Sequence, residues 1–266
     1  MTRFPHTFLF ALLLASNLPT HAAGLPDTGQ DTCYNDTVAD GVSASNPASI
    51  ARDAGTHPRQ NCRYGRDAAA AVGLQTKTGA GAKGFDYTKI ANNGSTLASG
   101  AALGTAATDW ACTKDNVTGL TWEVKVNDAA HLRHQTHTYT WYNSDGATNS
   151  GIAGNTGANT CNTTLPSSLC NTEAFVTAVN AAALCTYTDW RMPTLRELFT
   201  LFNADGSSPS IDSSYFPNTS VSYYWSGSSS TIGLTDAWNV DFWDGYRYAL
   251  PKTSNFNVRL VRGGQF

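Results

Sequence analysis

The stretch Asp189-Trp190-Arg191-Met192-Pro193-Thr194-Leu195-Arg196-Glu197-Leu198 constrains the fold of this chain more than any other. A residue before proline is pushed out of helical geometry, so no helix runs through Met192. Thr194 followed three residues later by Glu197 is a capping box, which predicts a new helix starting there. Leu195, Leu198, Phe199 and Phe202 then recur at helical spacing and give that helix one apolar stripe. Upstream, Phe175, Ala178, Val179 and Ala182 predict a first helix over 173–185. Two helices joined by an extended clasp are thus fixed in the middle of the chain. Within the clasp, Trp190 is expected to fill the junction while Arg191 pairs with Asp189, Glu197 or a carbonyl.

Strand signals lie on both sides. Residues 84–90 read as a strand. In 115–124 turn chemistry gives way to alternation, with Leu120, Trp122 and Val124 on one face and Thr121, Glu123 and Lys125 on the other. Trp122 is therefore expected to be structural. After residue 220 come four further strand-like runs, at 222–228, 236–243, 246–250 and 255–262. Asp244-Gly245 is a tight-turn signal between the second and third of these. Residues 143–172 form a long Asn/Gly/Thr-rich excursion, of the kind that is often functional or variable. The order is α+β: two helices flanking a small antiparallel sheet, preceded by an irregular N-terminal extension.

Arg3, the apolar run Phe8 to Ala15 and the small residues of Thr20 to Ala23 predict an export signal over 1–23. A membrane span needs about 20 apolar residues, and Asn17, Pro19 and His21 interrupt this run. The expected location is secreted, periplasmic or at the cell surface of a bacterium. Export makes the six cysteines candidates for disulfides, and six allow fifteen pairings. Cys161 and Cys170 bracket a short turn and form the local pair; Cys33–Cys62 and Cys112–Cys185 complete one such set. Charged residues are only 14% of the chain, against about 25% in an average domain. The net charge is −3, and without a basic cluster nucleic acid is not an expected partner.

The motifs at 115–123 (DNVTGLTWE), 138–146 (TYTWYNSDG), 184–198 (LCTYTDWRMPTLREL), 223–229 (YYWSGSS), 236–245 (DAWNVDFWDG) and 256–264 (FNVRLVRGG) resemble, in order, the C-terminal domain of the Legionella collagen-like adhesin. That family was long described only as a domain of unknown function, DUF1566. Residues 27–36 (DTGQDTCYND) and 64–68 (YGRDA) are similar to segments that often precede it. Met192 stands where the family usually has leucine. The resemblance implies a disulfide-braced, C-type-lectin-like domain over 106–266, with 24–105 as a cysteine-containing extension. It also implies a non-enzymatic recognition or adhesion role toward a glycan or a cell-surface protein.

Two departures qualify this. No Gly-X-Y stalk is present, so collagen-driven trimerisation is not implied. Residues 107–266 hold nine Lys/Arg against thirteen Asp/Glu, so long-range attraction to polysulfated chains, the ligands of that adhesin, is not expected.

The expected ligand surface is the outward side of the later hairpin. There Trp243, Tyr246 and Tyr248, with Tyr223 and Tyr224, surround Asn239, Asp241, Asp244 and Arg247. Aromatic faces stack on sugar C–H surfaces, and amides and carboxylates accept hydroxyl hydrogen bonds; the same residue types dominate protein hot spots. Calcium enters only through the likeness of Trp238-Asn239-Val240-Asp241 to a lectin calcium element, whose Glu-Pro-Asn companion is missing. His131, His134 and His137 have a spacing that could hold zinc or copper on a helix, but they sit beside a strand and are expected in a solvated loop. Two other readings differ in class. One is an enzyme related to formylglycine-generating enzymes, which needs a free, low-pKa cysteine. The other is a purely structural envelope or pilus module in which the aromatics are buried.

Overall fold

The computed structural model describes residues 27–30, 65–71, 73–165 and 169–264, together with the backbone of 32–34 and 39–43. The expected signal segment and the Cys33–Cys62 pairing lie outside the described residues.

Near the start, β1 (Thr32–Tyr34) and β2 (Ala39–Ser43) pair antiparallel, and α1 spans Arg66–Ala71. A five-stranded antiparallel sheet follows, built from β3 (Tyr87–Ala91), β4 (Thr96–Leu97), β5 (Trp110–Asp115), β6 (Thr121–Glu123) and the last strand, β10 (Val261–Arg262). Its order is β10-β6-β5-β3-β4, so the end of the chain returns to pair with its middle, Val261 opposite Trp122. Two of its strands come from before residue 106, so the segment ahead of the resembling region is part of the same sheet.

The expected helix over 173–185 is shorter: α2 spans Thr172–Ala181, capped by Asn171, whose side chain accepts from the Ala174 N–H. Ala183 and Cys185 then take left-handed backbone angles, φ 47° and 52°, inside a short 3₁₀ turn, and helical geometry ends there. Cys185 is bonded to Cys112 on β5, which ties this turn to the five-stranded sheet. The local pair Cys161–Cys170 is also formed. The second helix, α3, spans only Leu195–Phe199; its capping box is complete, but Phe202 falls beyond its end.

A three-stranded antiparallel sheet, β7 (Tyr223–Ser229), β8 (Asp236–Asp241) and β9 (Arg247–Pro251), completes the architecture in the order of the chain. The fourth expected strand, 255–262, is strand only at its end. Before that, Phe256 and Asn257 make single bridges to Tyr139 and Tyr224.

Two apolar clusters hold these parts together, and period-two alternation decides which residue enters which. On β7, Trp225 joins Trp141, Phe175, Val179 and Trp190 in one cluster. Its neighbour Tyr224 joins Trp122, Leu198, Val240 and Phe242 in the other. The three-stranded sheet therefore carries a core on each face. On β6 the expected polar face is equally enclosed: Glu123 and Lys125 are buried, paired at 2.9 Å. Burial drives the Lys125 ammonium down to about 8, and Glu123 beside it only partly restores it.

Candidate functional site

The clasp crosses from one core to the other. Trp190 is 2% exposed and lies in the first cluster, whereas Leu198 lies in the second. The Asn180 side chain on α2 grips both backbone groups of Trp190, accepting from its N–H at 2.8 Å and donating to its carbonyl at 2.9 Å. The Trp190 indole N–H donates to the Leu184 carbonyl at 3.1 Å. Arg191 exchanges two backbone hydrogen bonds with Val261, so the residue before the helix behaves as a strand against β10.

Its guanidinium meets Glu197 in a bidentate pair, 2.8 and 2.6 Å, and also donates to the carbonyls of Met192 and Gly263. Glu197 also accepts from the Thr194 N–H. Burial alone would raise the Glu197 carboxyl, yet the Arg191 and Thr194 donors hold it below its ordinary range. Asp189 pairs instead with Arg262, at 2.7 and 3.1 Å. Trp122, the other expected structural tryptophan, is fully buried.

The later hairpin divides the expected ligand residues. Trp243 is 64% exposed, Tyr246 65% and Tyr248 38%. Tyr248 packs edge-on to Tyr223 at 5.7 Å, and Tyr246 lies 6.4 Å from Tyr248, so three tyrosines form one row. Carboxylates shape the turn between the strands. Asp241 accepts from the Trp243 N–H and Asp244 from the Tyr246 N–H, both at 2.9 Å. Gly245 takes φ +76°, and a Cβ there would strike the Phe202 ring at 2.1 Å, so glycine is required. Burial, then the charge of Asp244, pushes the Asp241 carboxyl up.

Three expected ligand residues are not on that surface. Tyr224 is fully buried against Phe242, because its side chain enters the second core. Asn239 stands between Trp225 and Tyr248 in register and is fully buried, with neither amide atom hydrogen-bonded. Arg247 lies on the opposite sheet face from Tyr248, its guanidinium 4.9 Å over the Phe199 ring.

Sequence reasoning missed a groove of about 630 Å³ beside the clasp, lined among others by Trp141, Tyr142, Glu173, Val176, Arg191 and Met192. Its loop wall is fixed from beneath by Lys252, whose buried ammonium donates to the carbonyls of Asn149, Ile152 and Leu234. The lining comes from segments far apart in the chain, and only Gly227 in Tyr-Trp-Ser-Gly-Ser hints at it. A Cβ on Gly227 would meet the Met192 Cβ at 3.0 Å.

The histidines lie in turns, as expected, but His134 and His137 are buried rather than solvated, with rings 5.1 Å apart. Among the described residues no three His, Cys, Asp or Glu side chains group closely enough to hold a metal ion. With Asn239 fully buried between Trp225 and Tyr248 in register, the residues of the Trp-Asn-Val-Asp element do not fit a calcium site.

No helix among the described residues is long and apolar enough to cross a membrane. No curated protein and no solved structure matches the chain. The two disulfides are consistent with an extracellular protein, and the sequence profile of the Lcl C-terminal domain matches residues 111–262, from β5 through β10. The matched span is more than half of the chain, and the chain belongs to the Lcl C-terminal domain family.

Proposed function

We propose that this chain is an exported, non-enzymatic recognition domain of the bacterial surface, C-type-lectin-like in architecture, that contacts carbohydrate through the tip of the β8–β9 hairpin. One observation carries the reading. Of the seven tryptophans, five are buried and Trp238 is half-buried; Trp243 alone stands exposed, with exposed Tyr246 and Tyr248 within five residues of it. A soluble surface seldom presents large aromatics together without a ligand or partner to cover them. A purely structural module would have buried them.

The clasp supports a non-catalytic reading. Glu197 is held ionised by a bidentate arginine and an N–H, so it is poorly suited to exchange protons. Among the described residues no cysteine is free to act as a thiol nucleophile.

Glycan-array screening of the full chain, followed by calorimetric titration of the hits, tests the proposal. Binding is expected, with at least a ten-fold loss in Trp243→Ala and in Tyr246→Ala. A blank array, or hits that both variants retain, overturns it; capture of a protein partner through the same two residues would move the ligand class from sugar to protein.

A further inference from the structure

Beside Trp243 the surface dips into a depression of about 300 Å³, lined by Phe202, Asn203, Ser207, Ser210, Trp243 and Asp244 among others. That volume is at the small end of ligand pockets, about 300–1,000 Å³, and suits one ring rather than a length of chain. Part of its lining is aromatic, from Trp243 and Phe202. The rest bears hydroxyls and an amide, and much of its hydrogen-bonding capacity is spent internally. Ser210 donates to the carbonyls of Ser207 and Trp243, Ser207 donates to the Pro209 carbonyl, and the Asn203 side-chain oxygen accepts from the Asp205 N–H. Aromatic rings together with prearranged polar groups are the combination that orients a pyranose.

The charge around the depression is one-sided. Asp244 lines it, and Asp241 lies three residues away across the turn. The nearby cations are committed elsewhere: Lys83 pairs with Asp205, and Arg247 lies over Phe199. Among the described residues no lysine or arginine lines the depression. A sulfate or carboxylate entering here would face carboxylate charge with no cation to receive it. At about 4 Å two like charges repel by roughly 1 kcal/mol in water and several-fold more near a protein surface.

We infer that the depression beside Trp243 takes a single pyranose unit bearing no anionic substituent, and that Asp244 is the residue that excludes sulfated and carboxylated sugars. This rests on the hairpin reading above and adds the ligand's charge class to it.

The test uses the full chain and matched probes: the neutral oligosaccharide that binds best on the array, and the same oligosaccharide chemically O-sulfated. Titrations are run at low and at 0.5 M salt, where the Debye length falls below about 5 Å. The neutral probe is expected to bind at least ten-fold tighter than its sulfated form at low salt. The gap should narrow several-fold at high salt and in Asp244→Asn, whose side-chain oxygen can still accept from the Tyr246 N–H. Thermal unfolding of Asp244→Asn confirms that the fold is intact, and the ratio of neutral to sulfated affinity within that variant, rather than either affinity alone, reads the charge effect.

Sulfated binding equal to or tighter than neutral binding overturns the charge inference, and so does a gap that Asp244→Asn leaves unchanged. If Trp243→Ala abolishes that sulfated binding, the hairpin reading survives while the charge inference falls. A blank array, with neither a neutral nor a sulfated sugar bound, overturns both.

Discussion

The clasp at 189–198 and the hairpin at 236–251 are built from the same residue types, Trp, Arg, Asp and aromatics, yet the structure uses them oppositely. In the clasp, Trp190 is enclosed and the Arg191 charge is matched by Glu197. At the hairpin tip Trp243 is open to solvent, and Asp241 and Asp244 face each other without a shared cation. Composition therefore does not separate a structural element from a recognition surface. What separates them is whether each charge is matched by an opposite charge within the fold.

The largest difference should appear on truncating the two tryptophans. Trp190→Ala removes a buried indole that packs beside Leu184 and Val179, and large aromatic-to-alanine changes in cores cost about 3–5 kcal/mol. For a chain of this size that is a drop in Tm of about 10 °C. A loss of less than about 1 kcal/mol in chemical denaturation would show that the clasp is not the joint between the cores.

Next comes Arg191→Ala, which leaves the Glu197 carboxylate buried with only the Thr194 N–H as an evident partner. Breaking a buried pair costs about 3–5 kcal/mol; because Arg191 is itself partly exposed, about 2–3 kcal/mol is expected. Glu197→Gln, which keeps a hydrogen-bonding group of the same shape, should cost less.

Much of the clasp was legible because its signals are local. Pro193 and the Thr194–Glu197 spacing act within one helical turn, and the cap forms as the spacing predicts. Asp244-Gly245 is legible for the same reason. The hairpin was half legible. Alternation on β8 correctly sets Asn239 and Asp241 on one side and Val240 on the other, but it cannot say what covers that side. Asn239 and Tyr224 were expected outside because no local rule reports that Trp225 and its core lie over one face and Phe242 and its core over the other. The groove beside Trp141 was barely legible, since its walls meet through tertiary packing and Gly227 is its one local trace.

The pH response should set the two regions against each other. Glu197 titrates below its unfolded value, about 4.3, so its contribution is complete above that pH and is lost as the pH falls through the folded value. Asp241 titrates above its unfolded value, so it opposes folding at neutral pH, and that opposition is relieved as the pH falls. Glu197→Gln should flatten the acid limb of the stability profile, whereas Asp241→Asn should raise stability at pH 7 by less than about 1 kcal/mol. Identical profiles for the two variants would dissolve the contrast. Thr194→Ala belongs to the same scale, with about 1 kcal/mol expected from loss of the cap.

The smallest expected change in stability is the most informative one. Trp243 is largely exposed and has no hydrogen-bonding role for its indole among the described contacts; its backbone N–H, which Asp241 accepts, survives substitution. Trp243→Ala should therefore leave stability within about 0.5 kcal/mol of the parent, as surface substitutions do, while removing most of the carbohydrate affinity. Trp190→Ala, studied at a temperature where the variant is still folded, should do the reverse, since its indole is enclosed in the first core. A fold retains an exposed tryptophan at a tight turn, where it contributes little to folding, when a ligand supplies the missing contact. If Trp243→Ala destabilised the chain as Trp190→Ala does, the hairpin would be a second clasp and the binding surface would have to be sought in the groove above Trp141.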